Sequence, residues 1–426
     1  MSQDIESARA KHQASKVLQV SHTLRAHHRA WFDELRQRAN DGEPYVICHP
    51  TTPHEIFEAL DIPYVIDAWY SGIVAARRQS KHYSDVLSAH GYHSGLRRYN
   101  SLGYAVVLDP DHPDKPWGGL PKAAGVMSWN SEGGSIELAE FWNVPFIGLD
   151  QPACRVMHPN WWDMHRWNWE DFDESYRIDF MENQFRRVVE FAERLAGKRM
   201  DYDRLAEVVN RVNDQEMYFD RIRSIMANSP KLPVRLGEVM SQTMGIQWHR
   251  GSKWALEQAK AFYEEVKARA DAGKWICPNE KYRFMYVGSG LWQKLEFFNS
   301  FEESHGVVFV RSNYLSIASD GYLRFGAKNP LRALASRYSI LALQMWIPPM
   351  GGAWAVHEAR THRVNASVNL DRKGRGVTFV TRALEEAGIP VLDIEADPVD
   401  ANKWNDDLIR SQMIEFIEKR VARAEQ

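Results

Sequence analysis

Cysteine is scarce in this 426-residue chain: only 3 are present, Cys48, Cys154 and Cys277. They stand far apart and form no CxxC pair, so they read as reduced thiols and build neither a disulfide framework nor a paired-thiol metal module. Charge of one sign is also missing. With 53 basic and 56 acidic residues the formal net charge is −3, which makes no field to hold nucleic acid or an anionic membrane. No apolar run reaches membrane-spanning length, and residues 1–30 are polar and mixed in charge. Neither a secretory signal nor an anchor is expected there, and the expected location is cytoplasmic. The absence of a GxSxG elbow and of an HExxH helix argues against serine hydrolases and zinc proteases.

What is present is aromatic and alternating. Of 16 tryptophans, four fall together as Trp161, Trp162, Trp167 and Trp169. Val17, Leu18, Val20, Leu24, Trp31, Phe32 and Leu35 recur at helical spacing, predicting a helical lead-in over residues 1–40. Apolar runs at 44–48, 62–69, 123–129 and 144–149 read as strands, with a helix at 136–142, and Thr52 is placed to cap a helix that Pro53 opens. Continuous apolar runs suit strands buried in a parallel sheet, so residues 41–155 form a first α/β domain. Residues 156–275 form a helical segment, its period clearest from Phe185 to Leu195 and closed by Gly197. Alternation resumes in a second α/β domain, 276–426. Strands are expected there at 282–287, 307–310, 354–357 and 389–394, and helices at 291–301 and 377–387. The fold class is α/β, two Rossmann-like (flavodoxin-like) parallel-sheet halves with a helical middle segment. A ligand belongs in the cleft between them, at the carboxyl ends of the strands.

Gly288-Ser289-Gly290, between a strand and a helix, offers backbone N–H groups to a phosphate or carboxylate. It lacks the third glycine of a dinucleotide fingerprint and the ending of a P-loop, so a tight turn without a ligand is the alternative. Cys154, His158 and His165 match no zinc module in spacing, and no metal site is read from them. The tryptophans around them either pack on a neighbouring subunit or domain, or form a lid that shields an apolar group from water.

Pro53-His54-Glu55-Ile56-Phe57-Glu58-Ala59-Leu60-Asp61-Ile62-Pro63 resembles the opening motif of the 2-hydroxyacyl-CoA dehydratase and benzoyl-CoA reductase family. Further ordered blocks resemble it too: Val144-Pro145 through Asp150-Gln151-Pro152, and Gly197-Lys198 with Asp201, Asp203, Leu205 and Asn210. So do residues 282–288 with Trp292, and Gly388-Ile389-Pro390-Val391-Leu392 with Glu395, Asp397, Asp400, Arg410, Phe416 and Glu418. The likeness spans residues 40–422 and, in length, is most similar to the larger cluster-type subunits of benzoyl-CoA reductase.

The resemblance implies a pair of similar subunits, each usually holding a 4Fe-4S cluster through three cysteines, and an ATP-dependent activator protein that delivers an electron for chemistry on a CoA thioester in anaerobic metabolism. The matching ligand positions fall in the neighbourhood of His93, near residues 128–132, and on or beside His362, and none is cysteine. Soft thiolates are the donors that hold such clusters. The expectation is therefore that this chain binds no cofactor, takes a CoA thioester as substrate and pairs with a homologous cluster-bearing subunit in a heterodimer or heterotetramer. Three readings stay open. One is a cluster-free subunit of a lyase of the dehydratase type or of an aromatic acyl-CoA reductase. The second is a cluster-independent acyl-CoA lyase or hydratase, and the third a structural subunit. The candidate proton carriers are Glu55, His93, Glu132 and His362. The candidate substrate-binding residues are Ser128, Trp129, Gly288, Ser289, Gly290, Trp292, His357 and Arg360. Glu55 equally suits a helix start, where the dipole favours a carboxylate, and Arg360 and His362 equally suit an ion pair with Glu358 on a loop.

Overall fold

In the computed structural model, which describes residues 17–92, 98–131, 133–152, 162, 166–167, 169–172, 174–319, 323–326, 328–346, 350–371 and 377–424, the apolar runs become strands of two parallel sheets. The first contains β1 (Val46–Cys48), β2 (Tyr64–Ile66), β3 (Gly125–Trp129) and β4 (Phe146–Leu149) in the order β2-β1-β3-β4. The second contains β5 (Tyr282–Val287), β6 (Val307–Ser312), β7 (Ala366–Asp371) and β8 (Val391–Glu395) in the order β6-β5-β7-β8. Every residue of β1, β2, β3, β5 and β6 is buried, the condition under which a strand reads as one apolar run. Strand order reverses between β1 and β3, and again between β5 and β7, the points at whose carboxyl edge open parallel sheets generally bind ligands.

Helix α1 (Val20–Asn40) precedes the first sheet, and α2 (Glu55–Ala59) and α3 (Asp67–Ala76) follow β1 and β2. The middle consists of α4 (Ser175–Ala196), α5 (Tyr202–Asn228), α6 (Leu236–Gln247) and α7 (Lys253–Asp271); α8 (Pro330–Trp346) and α9 (Met350–Thr361) stand between β6 and β7. Gly197 ends α4 in the left-handed conformation, as its place in the sequence predicts. The side chains of Asp201 and Ser252 cap α5 and α7. Phe191 of α4 lies so close to β3 that a Cβ on Gly125 would fall 2.7 Å from the ring. A single apolar cluster runs from α1 through both sheets. None of the described helices is long and apolar enough to cross a membrane.

Several local expectations are corrected. Residues 354–357 lie inside α9, not in a strand, because a run as short as Trp354-Ala355-Val356 suits either element. Strand β7 escapes the apolar pattern because the buried Ser367 and Asn369 alternate with Val368 and Leu370. Ser367 donates to Asn369 and Asn369 to the Thr381 hydroxyl, so the polar side chains are satisfied inside the sheet. Residues 67–69 begin α3 and do not extend β2. The expected helix at 291–301 is a 3-10 segment, Trp292–Asn299, broken at Lys294. Thr52 caps nothing: its hydroxyl donates to the His49 carbonyl, and α2 begins only at Glu55. Trp162 and Trp169 are buried within this chain, while Trp167 is 72% exposed and stacks on Phe325. Trp161, Cys154, His158 and His165 lie outside the described residues.

Candidate active site at the carboxyl edges of the sheets

The chain leaves β1 through His49-Pro50-Thr51-Thr52 and stays tied to β3, since the His49 amide donates to the Met127 carbonyl. At the end of β3 the Trp129 indole donates to Thr51 Oγ1 (2.8 Å), which lies 3.1 Å from His49 Nδ1. Ser128 beside it is fully buried, and its hydroxyl has no hydrogen-bond partner among the described residues. A buried hydroxyl left so costs about 1–3 kcal/mol unless something else supplies the bond. The structure thus joins two sequence candidates, Ser128 and Trp129, to His49 and Thr51, which are not among the sequence candidates. Their place just past a strand was the signal available.

The edge of the second sheet meets the first half through an aromatic contact. Trp292 donates its indole N–H to Tyr99 Oη (2.7 Å), and Tyr99 Oη lies 3.4 Å from Tyr314 Oη. Burial, reinforced by the neighbouring Tyr314, pushes the Tyr99 phenol well above its ordinary pKa, so it stays a neutral donor. The glycines of 288–290 serve this packing. A Cβ on Gly290 would fall 2.5 Å from Trp292 Nε1, and one on Gly288 2.6 Å from Tyr286 Oη. The Gly288 amide donates to Asn313 Oδ1 (2.8 Å), and the Ser289 carbonyl accepts from Tyr286. Gly288, Ser289, Gly290 and Trp292 therefore cluster, as a close-packed turn whose first amide is already engaged.

Glu55 is the centre of a buried network that draws on all three parts of the chain. Arg250, between α6 and α7, donates from Nε to Glu55 Oε1 (2.9 Å) and also holds the carbonyls of Pro50 (3.0 Å) and Thr52 (2.6 Å). From α8, Arg337 reaches Glu55 Oε1 (3.1 Å) and the Tyr338 hydroxyl donates to Oε2 (3.0 Å) while accepting from Arg250. Arg337 continues to Asn213 of α5 (3.0 Å). Glu55, Arg250 and Arg337 are all 0% exposed. Burial raises the Glu55 pKa, but Arg250 and Arg337 outweigh it and hold the carboxyl below its usual range. Nothing local in the sequence marks Arg250, Arg337 or Tyr338 as partners of a residue some 200 to 280 positions away.

The remaining candidates sit elsewhere or beyond view. His357, Arg360 and His362 lie on and just past α9, on the chain running into the amino end of β7 and so away from Gly288. His357 stacks on Trp162 and Arg360 is exposed. His362 is fully buried, its Nδ1 2.9 Å from the Glu358 carbonyl. Glu358 is the true hub there, on a helix and not a loop, binding Arg223 (2.5 Å) and Arg311 (2.6 Å). A cavity of about 20 Å³, room for one water molecule, is bordered by Arg223, Thr243, Arg311 and His362. His93 and Glu132 lie outside the described residues.

Comparison with known proteins finds relatives over most of the chain. The family model described as 2-hydroxyglutaryl-CoA dehydratase, D-component, matches residues 51–419. The chain is 22% identical over 396 residues to the (R)-2-hydroxyisocaproyl-CoA dehydratase alpha subunit of Clostridioides difficile, covering 89% of this chain and 91% of that one. It is 20% identical over 386 residues to the (R)-phenyllactyl-CoA dehydratase alpha subunit of Clostridium sporogenes, covering 86% of each.

Proposed function

Because the chain belongs to the 2-hydroxyglutaryl-CoA dehydratase D-component family, we propose that it is a cytoplasmic subunit of a 2-hydroxyacyl-CoA dehydratase or aromatic acyl-CoA reductase complex, one that binds part of the CoA thioester while a homologous partner holds the 4Fe-4S cluster. The observation that carries this reading is the donor set. The stretches that resemble the cluster-ligand positions, around His93, near 128–132 and on or beside His362, contain no cysteine. Of the two described cysteines, Cys48 ends β1 in the core, where burial pushes its thiol well above the ordinary range. Cys277 precedes β5 and contacts Asn279 and the Glu302 carbonyl. A cluster needs several deprotonated thiolates converging on one point, and these residues do not fit it. What supports the thioester half of the reading is the Ser128 hydroxyl at the carboxyl end of β3, buried beside Trp129 with no partner among the described residues and suited to a carbonyl or phosphate oxygen once the loop over it admits a ligand. The exposed Trp167 is the kind of aromatic anchor that subunit interfaces use. An ATP-dependent activator serves the partner's cluster.

Purified anaerobically and alone, the chain is expected to carry almost no iron or acid-labile sulfide. Co-expressed with a three-cysteine homologue it should form a stable pair containing about four irons. Near four irons on the isolated chain would overturn the assignment. Calorimetry of the pair should show an aromatic or branched acyl-CoA binding about tenfold or more tighter than free CoA, since burying one such side group is worth more than about 1.4 kcal/mol. Equal affinities would remove the acyl-binding role.

A further inference from the structure

Away from the cleft, three metal-ligating side chains converge on one patch of surface. His82 lies on the helix Ser80–Ala89, and Asp109 and His112 lie in the segment after the helix Arg98–Leu108. Their ligand atoms all fall within 4.8 Å of one another. His82 Nε2 is 2.7 Å from Asp109 Oδ2, and the rings of His82 and His112 are 4.5 Å apart.

The segment that carries Asp109 and His112 is fastened in place. Lys115 Nζ donates to the Pro110 carbonyl, Arg77 pairs with Asp114 (2.8 Å), and Gln79 donates to the Asp114 carbonyl (2.8 Å). These bonds tie the segment to the start of the helix that bears His82, so the three ligands are held together by the scaffold. They also occupy nearby cations: Arg77 is paired with Asp114, and Lys115 is directed to a carbonyl. Asp109, Asp111 and Asp114, three carboxylates in six residues, make the patch acidic.

We propose that His82, Asp109 and His112 form a binding site for a divalent transition-metal cation of the zinc class, which clasps the 109–115 segment to the helix Ser80–Ala89. Two imidazoles and one carboxylate suit zinc and its neighbours, whereas calcium and magnesium prefer a larger, all-oxygen set and copper(I) a sulfur set. Bond lengths of about 2.0–2.2 Å in a tetrahedron place ligand atoms roughly 3.4 Å apart. His82 and Asp109 must part by somewhat over half an ångström as the metal replaces the proton they share, and His112 must close in. His112 Nδ1 now accepts a 3.2 Å bond from the Asp114 amide. The ring gives up that bond, or turns over about its Cβ–Cγ axis, when it ligates. Water completes the fourth position.

Cobalt(II) is the probe, added to the full-length, chelator-stripped protein. One ion per chain is expected, with the visible d–d absorption of low-coordinate cobalt, displaced by zinc. A rise in the thermal unfolding midpoint should accompany binding, because a ligand that binds only the folded state stabilises it. His82→Ala and His112→Ala should each weaken binding about tenfold or more and abolish the rise in midpoint, and Asp109→Asn should weaken it as well. Stoichiometric binding that survives in the His82→Ala/His112→Ala double variant would place the cobalt at another histidine cluster and overturn the proposal. So would the absence of any one-per-chain binding. All three positions are partly exposed, so the variants fold.

Discussion

Replacing Glu55 by glutamine is expected to destabilise the protein by about 3–5 kcal/mol, the range for removing one partner of a buried ion pair. Arg250 and Arg337, both fully buried, would each lose the carboxylate they contact at residue 55. Glutamine keeps the size of the side chain, so packing is preserved and the loss reports on charge. Adding Arg337→Met to Glu55→Gln should return part of the stability, because one of the two buried positive charges facing residue 55 is then removed. Urea unfolding of the three variants beside the parent protein measures both effects. A loss below about 1 kcal/mol for Glu55→Gln would mean that the arginines find other acceptors and that Glu55 is free to carry protons. In that case turnover of the assembled complex should fall while the unfolding midpoint holds. The network favours the first outcome, since a carboxylate held ionised by two guanidiniums is a poor proton donor near neutral pH.

Acidification from pH 7 to pH 5 is the second large effect. His28 of α1 is buried against α6, where its Nε2 lies 3.1 Å from the Gly245 carbonyl and its Nδ1 faces the Trp69 indole N–H. That pairing assigns the neutral ring with the proton on Nε2. The helices approach so closely because residue 245 is glycine: a Cβ there would lie 2.9 Å from Leu24 and 3.0 Å from His28. His27 and His249 complete an aromatic cage with Trp31, Trp69 and Trp254. Burial lowers His28 to about 4 and His27 to about 4, and it pushes His249 well below its ordinary value.

The unfolded chain therefore binds protons below about pH 6.5 that the folded chain refuses, and stability present above that pH is lost as the pH falls toward 4. For His28 alone the loss between pH 7 and pH 5 is about 2 kcal/mol. His249 adds in the same direction and the partly exposed His27 adds less, while Glu58, whose carboxyl burial raises to about 7, takes up a proton in the folded chain over the same range and offsets part of the loss. Glu55 acts lower, below about pH 4.5, where its carboxyl begins to protonate in the unfolded chain while the two arginines keep it ionised in the folded one. Urea unfolding at the two pH values should show the drop in the parent protein and a drop smaller by about 2 kcal/mol in His28→Gln. An equal drop in both would show that the cage is not its source.

The strands were legible because sheets covered on both faces select unbroken apolar runs, and runs such as 282–287 and 123–129 need no partner to be recognised. Gly197 and Gly388 were legible for a similar reason, since a helix that ends in the left-handed conformation selects glycine locally. The strand at 366–371 was hidden by Ser367 and Asn369, whose burial is tolerable only because Thr381 and Asp393 lie near them in space. Of the candidate site, Ser128, Trp129 and the 288–290 turn are legible as strand ends, the places where such folds generally bind ligands.

By itself, then, the sequence determined the alternation of strands and helices, the class of fold and the missing thiolates, all properties of residue type and near-neighbour spacing. Tertiary structure alone decided which charges neutralise one another. It put Arg250 and Arg337 on Glu55 and Arg223 and Arg311 on Glu358, and it made a cage of His27, His28 and His249. The physical reason is that a buried charge or imidazole needs a partner within a few ångströms in space, and the chain can supply that partner from any distance along its length.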